Sequence, residues 1–158
     1  MIFATVGTQL TFNRLIQYLH EVVEQHPHEI FAQTIDKEYE YRAIGRLVCV
    51  KTLTPQEFDR HMSTARLVVS HAGIGSIISA SRFQKPIILV PRRCDLGEHR
   101  NDHQVDTTRR FADSRGIYVA NDRSEISELL VADLEPRPAL DPASSSLISG
   151  ISRFIAST

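Results

Sequence analysis

The chain has no tryptophan, only two cysteines and no surplus of either charge: 18 lysines and arginines meet 19 aspartates and glutamates, for a formal net charge of −1. Each shortage closes a class. A balanced charge argues against nucleic acid as a partner, because a binder of the phosphate backbone usually carries a basic surplus. Cys49 and Cys94 lie far apart and have no metal-like spacing. A disulfide is not expected, Cys49 reads as core, and a cytoplasmic setting is the default. No apolar stretch approaches the ~20 residues of a membrane span. The opening "MIFATVGTQL" has neither the basic region nor the long apolar core of a signal peptide. What remains, 42% hydrophobic and 23% charged, is an ordinary globular profile, and 158 residues suit a single domain over 1–158. The pairs Arg92-Arg93 and Arg109-Arg110 read as solvated surface charge.

Within this composition, short apolar runs alternate with helical stretches. Ile2 to Val6, "EIFAQT", "RLVCVKTL", "RLVVS", "PIILVP" and "IYVA" read as six strands. Between them, Leu15, Ile16, Leu19, Val22 and Val23 follow helical spacing, with Pro27 closing that helix. Thr54-Pro55-Gln56-Glu57 is a helix start, with a Thr cap, Pro at the first position and an acid in the first turn. Gly75 to Phe83 is a further helix. "NDHQVDTTRRFADSRG" is another, with Gly116 as its stop. Asp122 caps "RSEISELLVA", Glu135 to Pro142 is a Pro-rich surface crossing, and 143–156 is a final helix. Strands that are apolar throughout, alternating with helices, predict an α/β fold: a doubly wound, mostly parallel, Rossmann-like sheet covered on both faces.

In such sheets ligands bind beyond the carboxyl ends of the strands. Three segments fall there: "VGTQLTF" after the first strand, "SHAGIGS" after the fourth and "PRRCDLGEHRNDHQ" after the fifth. In "SHAGIGS", Gly73 and Gly75 are expected to allow close backbone approach and positive φ. The helix that follows offers free N–H groups and a positive dipole end to an anion, and Ser76 adds a hydroxyl. The bland alternative is a tight strand-to-helix turn. Gly7 and Thr8 either cradle a ligand or turn the chain. His71 is a candidate donor to a phosphate or leaving group, or a structural hydrogen-bonder. The Asn101 and Gln104 amides suit sugar hydroxyls, and Asp102 suits a diol. Asn101 and Asp102 are equally candidates for a helix cap. His99 and His103 are four apart, but the helix start falls between them and no third metal ligand is evident. No G-x-S-x-G elbow, Cys–His or Ser–His pair, or catalytic acid pair assembles.

Together "VGT", "LVVSHAGIGSI", "KPIILVP" and "NDHQ" resemble one family, the C-terminal, nucleotide-sugar-binding domain of glycosyltransferase family 28. The likeness runs from Ile2 to about Val119. It is strongest to short stand-alone members: the catalytic subunit of the dolichol-linked N-acetylglucosamine transferase, and E-type subunits of bacterial exopolysaccharide glycosyltransferases. The resemblance implies the donor-binding half of a GT-B enzyme and transfer from a UDP-sugar without a bound metal or other cofactor. It places the Gly73-Ile74-Gly75-Ser76 loop at the diphosphate and Asn101, His103 and Gln104 near the donor sugar; Gly7, Thr8, Ser70 and His71 are further candidates for substrate contact. It also implies a membrane-anchored partner subunit with the acceptor site, through which alone the chain would reach the cytosolic membrane face. One position departs. Six residues after Gly73 the family usually carries an acid that holds the ribose hydroxyls, and this chain has Ser79. Two other readings remain open: a nucleotide-sugar-binding subunit that does not catalyse, and an unrelated Rossmann-like enzyme using the loop for another phosphate.

Overall fold

A computed structural model describes residues 1–39 and 41–139 of the chain. The expected final helix over 143–156 lies outside the described residues. The strands are β1 (Ile2–Thr5), β2 (Ile30–Gln33), β3 (Tyr41–Ile44), β4 (Leu47–Val50), β5 (Leu67–His71), β6 (Ile87–Val90) and β7 (Ile117–Val119). The α-helices are α1 (Asn13–Val23), α2 (Pro55–Thr64), α3 (Ile74–Arg82), α4 (His103–Phe111) and α5 (Arg123–Val131). They build one seven-stranded sheet in the order β3-β4-β2-β1-β5-β6-β7, parallel throughout except for the β3–β4 pair at the edge.

The doubly wound reading therefore holds, with one strand more than the six expected. β3 escapes a sequence reading because four residues without a long apolar run carry little signal. It is joined to β4 by Gly45-Arg46, with Ile44 opposite Leu47 and Gly45 at φ +57°, the left-handed conformation that a two-residue hairpin turn demands.

The sheet is covered on both faces. Ile2, Ala4, Val6, Leu67, Val69, Ile88 and Val90 pack with Phe12, Leu15, Leu19 and Val23 of the α1 segment and with Ile126 and Leu130 of α5. Phe3, Val68, Ile87 and Leu89, alternating with them, pack with Met62 of α2, Ile77 and Ala80 of α3 and Phe111 of α4. That double burial is why every residue of β1 and β6 is buried and all but Thr5 are apolar. Each fully buried Leu, Ile or Phe contributes about 2 kcal/mol of transfer free energy, so these strands hold the sheet centre rigid under the loops they carry.

Local signals place the helices. Thr54 Oγ1 accepts from the Glu57 N–H at 3.3 Å while the Thr54 N–H donates to Glu57 Oε2 at 2.8 Å, the reciprocal box expected from "TPQE". The Thr54 N–H and hydroxyl, both donating to Oε2, hold the Glu57 carboxyl below its usual range. Asp122 caps α5 through the Glu125 N–H, as expected. Gly116 does not stop α4, which ends at Phe111. Gly116, at φ +74°, lies beside the returning chain, where an added Cβ would overlap the backbone of Pro136 and Arg137. The 135–139 stretch is mostly exposed, but Arg137 is buried, donating to Ser81 Oγ at 3.0 Å and the Arg115 carbonyl at 2.7 Å.

Candidate functional site

β1 sits at the sheet centre, and the chain leaves it towards β2 on one side and β5 on the other. At that reversal the carboxyl-end loops diverge and leave a crevice. A cleft of about 830 Å³ opens there, bounded by the loops after β1, β4 and β5 and by the start of α4. Gly7, Thr8, His71, Ile74, Gly75, Ser76, Ser79 and Gln104 all line it.

The two loop glycines behave differently from the expectation of positive φ. Gly73 has φ −90° and stands at the N-cap of α3; Gly75 lies within the first turn of that helix. Neither is in the left-handed region, whereas Gly7 is, at φ +84°. Space is what Gly73 and Gly7 supply. A Cβ on Gly73 would overlap His71 Nε2, and one on Gly7 would come within 2.7 Å of His71 Cε1. The imidazole fills the volume that side chains at 7 and 73 would need. At Gly75 nothing lies within 4 Å of an added Cβ. The α3 N-terminus has no side-chain cap, so its first N–H groups face the cleft at the positive end of the helix dipole.

Beneath this mouth is a buried hydroxyl network. Ser70, fully buried, has its Oγ 2.7 Å from Ser76 Oγ and 3.0 Å from the Thr5 carbonyl, and 3.2 Å from His71 Nδ1. Ser70 therefore orients His71 and Ser76 and does not itself line the cleft. Thr5 Oγ1 bonds Gln33 Oε1 at 3.0 Å and accepts from the Gly7 N–H at 3.2 Å, which joins the β1 and β2 ends. Burial, reinforced by the positive charge of Arg92, pushes the His71 pKa down to about 4. At neutral pH the ring is uncharged; it can donate one N–H but brings no positive charge.

That charge is brought by Arg92, which the sequence reading placed on the surface. Arg92 is instead buried, at 2% exposed. Its guanidinium donates to the carbonyls of Val6 (3.0 Å), Leu10 (2.6 Å) and Thr11, and lies 4.6 Å from the Phe12 ring centre. Three carbonyls of one loop converge on a single side chain, so Arg92 fixes the "VGTQLTF" turn. Burial lowers its pKa to about 10, which leaves it charged. Its backbone N–H donates to Gln104 Oε1 at 3.1 Å and so holds Gln104 in the cleft wall. The signal was its place, two residues past an all-apolar strand on the ligand-binding edge. Arg93, Arg109 and Arg110 are exposed, as expected.

The remainder of the β6–α4 loop divides. Asn101 and His103 do not line the cleft. Asn101 Oδ1 lies 2.9 Å from His99 Nδ1, and His99 is the residue that reaches the cleft. His103 opens α4 from an exposed position. Asp102 holds the N-cap position of α4 without a side-chain cap bond; its Oδ1 instead accepts from the Cys94 N–H at 2.9 Å and closes the loop on itself. Glu98 closes it on α1: Arg14 grips both carboxylate oxygens, at 2.7 and 2.8 Å, and donates to the Pro91 carbonyl at 2.8 Å. His99 and His103 are divided by the helix start, and among the described residues no group of three or more His, Cys, Asp or Glu is placed to hold a metal ion.

One wall was missed from the sequence. Leu53, Pro55, Phe58 and Asp59, on the β4–α2 connection and α2, line the same cleft. β4 is a parallel strand, so its carboxyl-end loop belongs to the same edge as the three segments singled out.

The fold is that of the C-terminal domains of GT-B glycosyltransferases. It superposes on the solution structure of ALG13 with a TM-score of 0.63, 15% identity and coverage of 93% of both chains. It superposes on MurG of Acinetobacter baumannii with a TM-score of 0.60 and 18% identity, covering 81% of this chain and 39% of that one. The chain belongs to the glycosyltransferase family 28 C-terminal domain family, which matches residues 1–146. A relative of known role, the UDP-N-acetylglucosamine transferase subunit ALG13 of Eremothecium gossypii, is 39% identical over 67 residues. That match covers 42% of this chain and 30% of the relative, under a third of its length.

Proposed function

We propose that the chain is the donor-binding, catalytic subunit of an inverting, UDP-sugar-dependent hexosyltransferase that acts with a partner subunit on a lipid-linked acceptor. The donor is UDP-N-acetylglucosamine, or a UDP-hexose such as UDP-glucuronic acid. The observation that carries the reading is the uncapped N-terminus of α3, with Gly75 open to a cleft of about 830 Å³. Backbone N–H groups and the helix dipole there suit a diphosphate, and their pull grows as charge develops on the departing UDP. Arg92, charged and buried in the wall, adds to the same field. The neutral His71 N–H is a short-range donor to the diphosphate or the leaving oxygen. Gln104, Thr8 and His99 make a polar wall suited to the sugar, and Leu53, Pro55 and Phe58 an apolar wall suited to the base. In this reading no metal or other cofactor takes part.

A base for the acceptor hydroxyl is not obvious in this half. Among the described residues, Asp59 is the single carboxylate lining the cleft, and it stands beside Phe58 on the apolar side. This favours a partner subunit that supplies both acceptor site and base, as the relative's designation as a transferase subunit would fit. In this reading the chain works in the cytoplasm and meets the membrane through that partner. The same feature also sustains the second reading, a nucleotide-sugar-binding regulatory subunit.

Thermal shifts of the full chain with UDP, UDP-N-acetylglucosamine, UDP-glucuronic acid, NAD and ATP test the ligand class. Stabilisation by the uridine ligands alone is expected, by about 2.7 kcal/mol at a hundredfold excess over Kd; stabilisation by none of them sinks the reading. Co-expression with a membrane-anchored partner, followed by transfer from labelled UDP-sugars to lipid, separates catalytic subunit from regulatory one.

A further inference from the structure

A carboxylate in a cleft built for an anion requires an explanation, because it repels the ligand that the rest of the cleft attracts. Asp59 is that carboxylate. Its Oδ2 is 3.1 Å from Arg82 Nη2, which offsets its charge and draws the side chain towards α3. On α3, Gly75, Ser79 and Arg82 follow at spacings of four and three, so they lie along one face. Ser79 is about 6 Å and Arg82 about 10 Å along the axis from Gly75. The carboxylate is thus held one to two turns from the anion end, next to the apolar wall of Leu53, Pro55 and Phe58. A nucleotide with its diphosphate at Gly75 and its base on that wall places the ribose between the two.

We propose that Asp59 is the specificity residue for the ribose, accepting hydrogen bonds from its 2′- and 3′-hydroxyls and selecting ribonucleotides over deoxyribonucleotides. The inference rests on the nucleotide-sugar reading above. Two carboxylate oxygens match a vicinal diol, and a charged acceptor makes the stronger bond. Ser79 of α3 lines the same cleft and adds one hydroxyl at most. Arg82 is a positioning residue, acting through Asp59.

Calorimetry of the full chain with UDP and with 2′-deoxy-UDP tests this. The wild-type chain is expected to bind UDP roughly tenfold or more tightly than the deoxy form. Asp59→Ala brings the two to within about threefold, mainly by weakening UDP, and Ser79→Ala leaves most of the preference in place. The Asp59–Arg82 pair is exposed, at 42% and 63%, so its loss leaves the fold standing. Arg82→Met breaks the pair but keeps the carboxylate, and should narrow the preference less than Asp59→Ala does. A preference unchanged in Asp59→Ala, or absent from the wild type while UDP binds, overturns the assignment and leaves the nucleotide-sugar reading intact. No binding of either nucleotide to the wild type overturns both.

Discussion

Gly73 and Gly75 stand two residues apart in one loop, yet they are glycines for opposite reasons. Gly73, with Gly7 across from it, is closed: each leaves room for the His71 ring. Gly75 is open, with nothing of the protein within 4 Å of where its side chain would be. The G-x-G pattern therefore combines a packing requirement at Gly73 with, in the proposed function, a binding requirement at Gly75. The first concerns how β1 and β5 converge on an imidazole; the second concerns what enters from solvent. Substitutions should separate them.

The largest effect belongs to the closed side. Gly7→Ala combines overlap on His71 with an unfavourable positive φ, and is expected to lose about 3 kcal/mol of stability; Gly73→Ala, with overlap alone, about 2. Urea unfolding gives both values. In a His71→Ala background the Gly73→Ala loss should nearly vanish, and the Gly7→Ala loss should shrink but persist, because φ +84° is still required. Strict additivity across either pair would show that the ring is not what these glycines accommodate.

Next in size is the proton. His71 has a folded pKa of about 4, below the ordinary imidazole value of 6.5. As pH falls below 6.5 the unfolded chain takes up the proton first, so stability present above 6.5 is lost between there and about 4. Two and a half units correspond to at most about 3 kcal/mol. His26 and His61, also lowered by burial, add to the same fall. The difference between wild type and His71→Asn isolates the His71 part. The exposed carboxyls of Glu57 and Asp95 are held below values of 4.5 and 3.8, so their contribution fades at lower pH. Equal slopes for the two proteins between pH 6.5 and 4 would remove His71 as the buried neutral group.

These two sides also divide what was legible in the sequence. The sheet was legible, because burial on both faces leaves uninterrupted apolar runs, and so was the capping box of α2. The open side was legible too: a glycine-bearing strand-to-helix turn points to the α3 N-terminus whatever its φ. The closed side was not. That Gly7 and Gly73 meet on one imidazole is a contact between residues 64 and more positions from Gly7, and no local pattern encodes it. Arg92 was lost similarly. Beside Arg93 it looks like surface charge, and only the convergence of the Val6, Leu10 and Thr11 carbonyls makes burying a guanidinium tolerable. The Asp59 wall was overlooked for a smaller reason, since the capping box explained "TPQE" and the connection's place on the ligand edge went unused.

The smallest effect on folding, and the sharpest on binding, lies at Gly75. An alanine there gains helix propensity and meets no neighbour, so stability should rise by up to about 1 kcal/mol. An aspartate there stands in the first turn of α3, where a negative charge is favoured by the helix dipole by about 0.3–1 kcal/mol. The same charge occupies the place assigned to the diphosphate. Gly75→Asp is therefore expected to melt no lower than wild type, and to bind UDP at least about tenfold more weakly, while uridine, which lacks the diphosphate, loses much less. A general folding defect would lower melting temperature and both affinities together. Stability held and UDP binding lost is the outcome that only an anion site at the α3 N-terminus produces; UDP binding retained in Gly75→Asp would move the diphosphate elsewhere in the cleft.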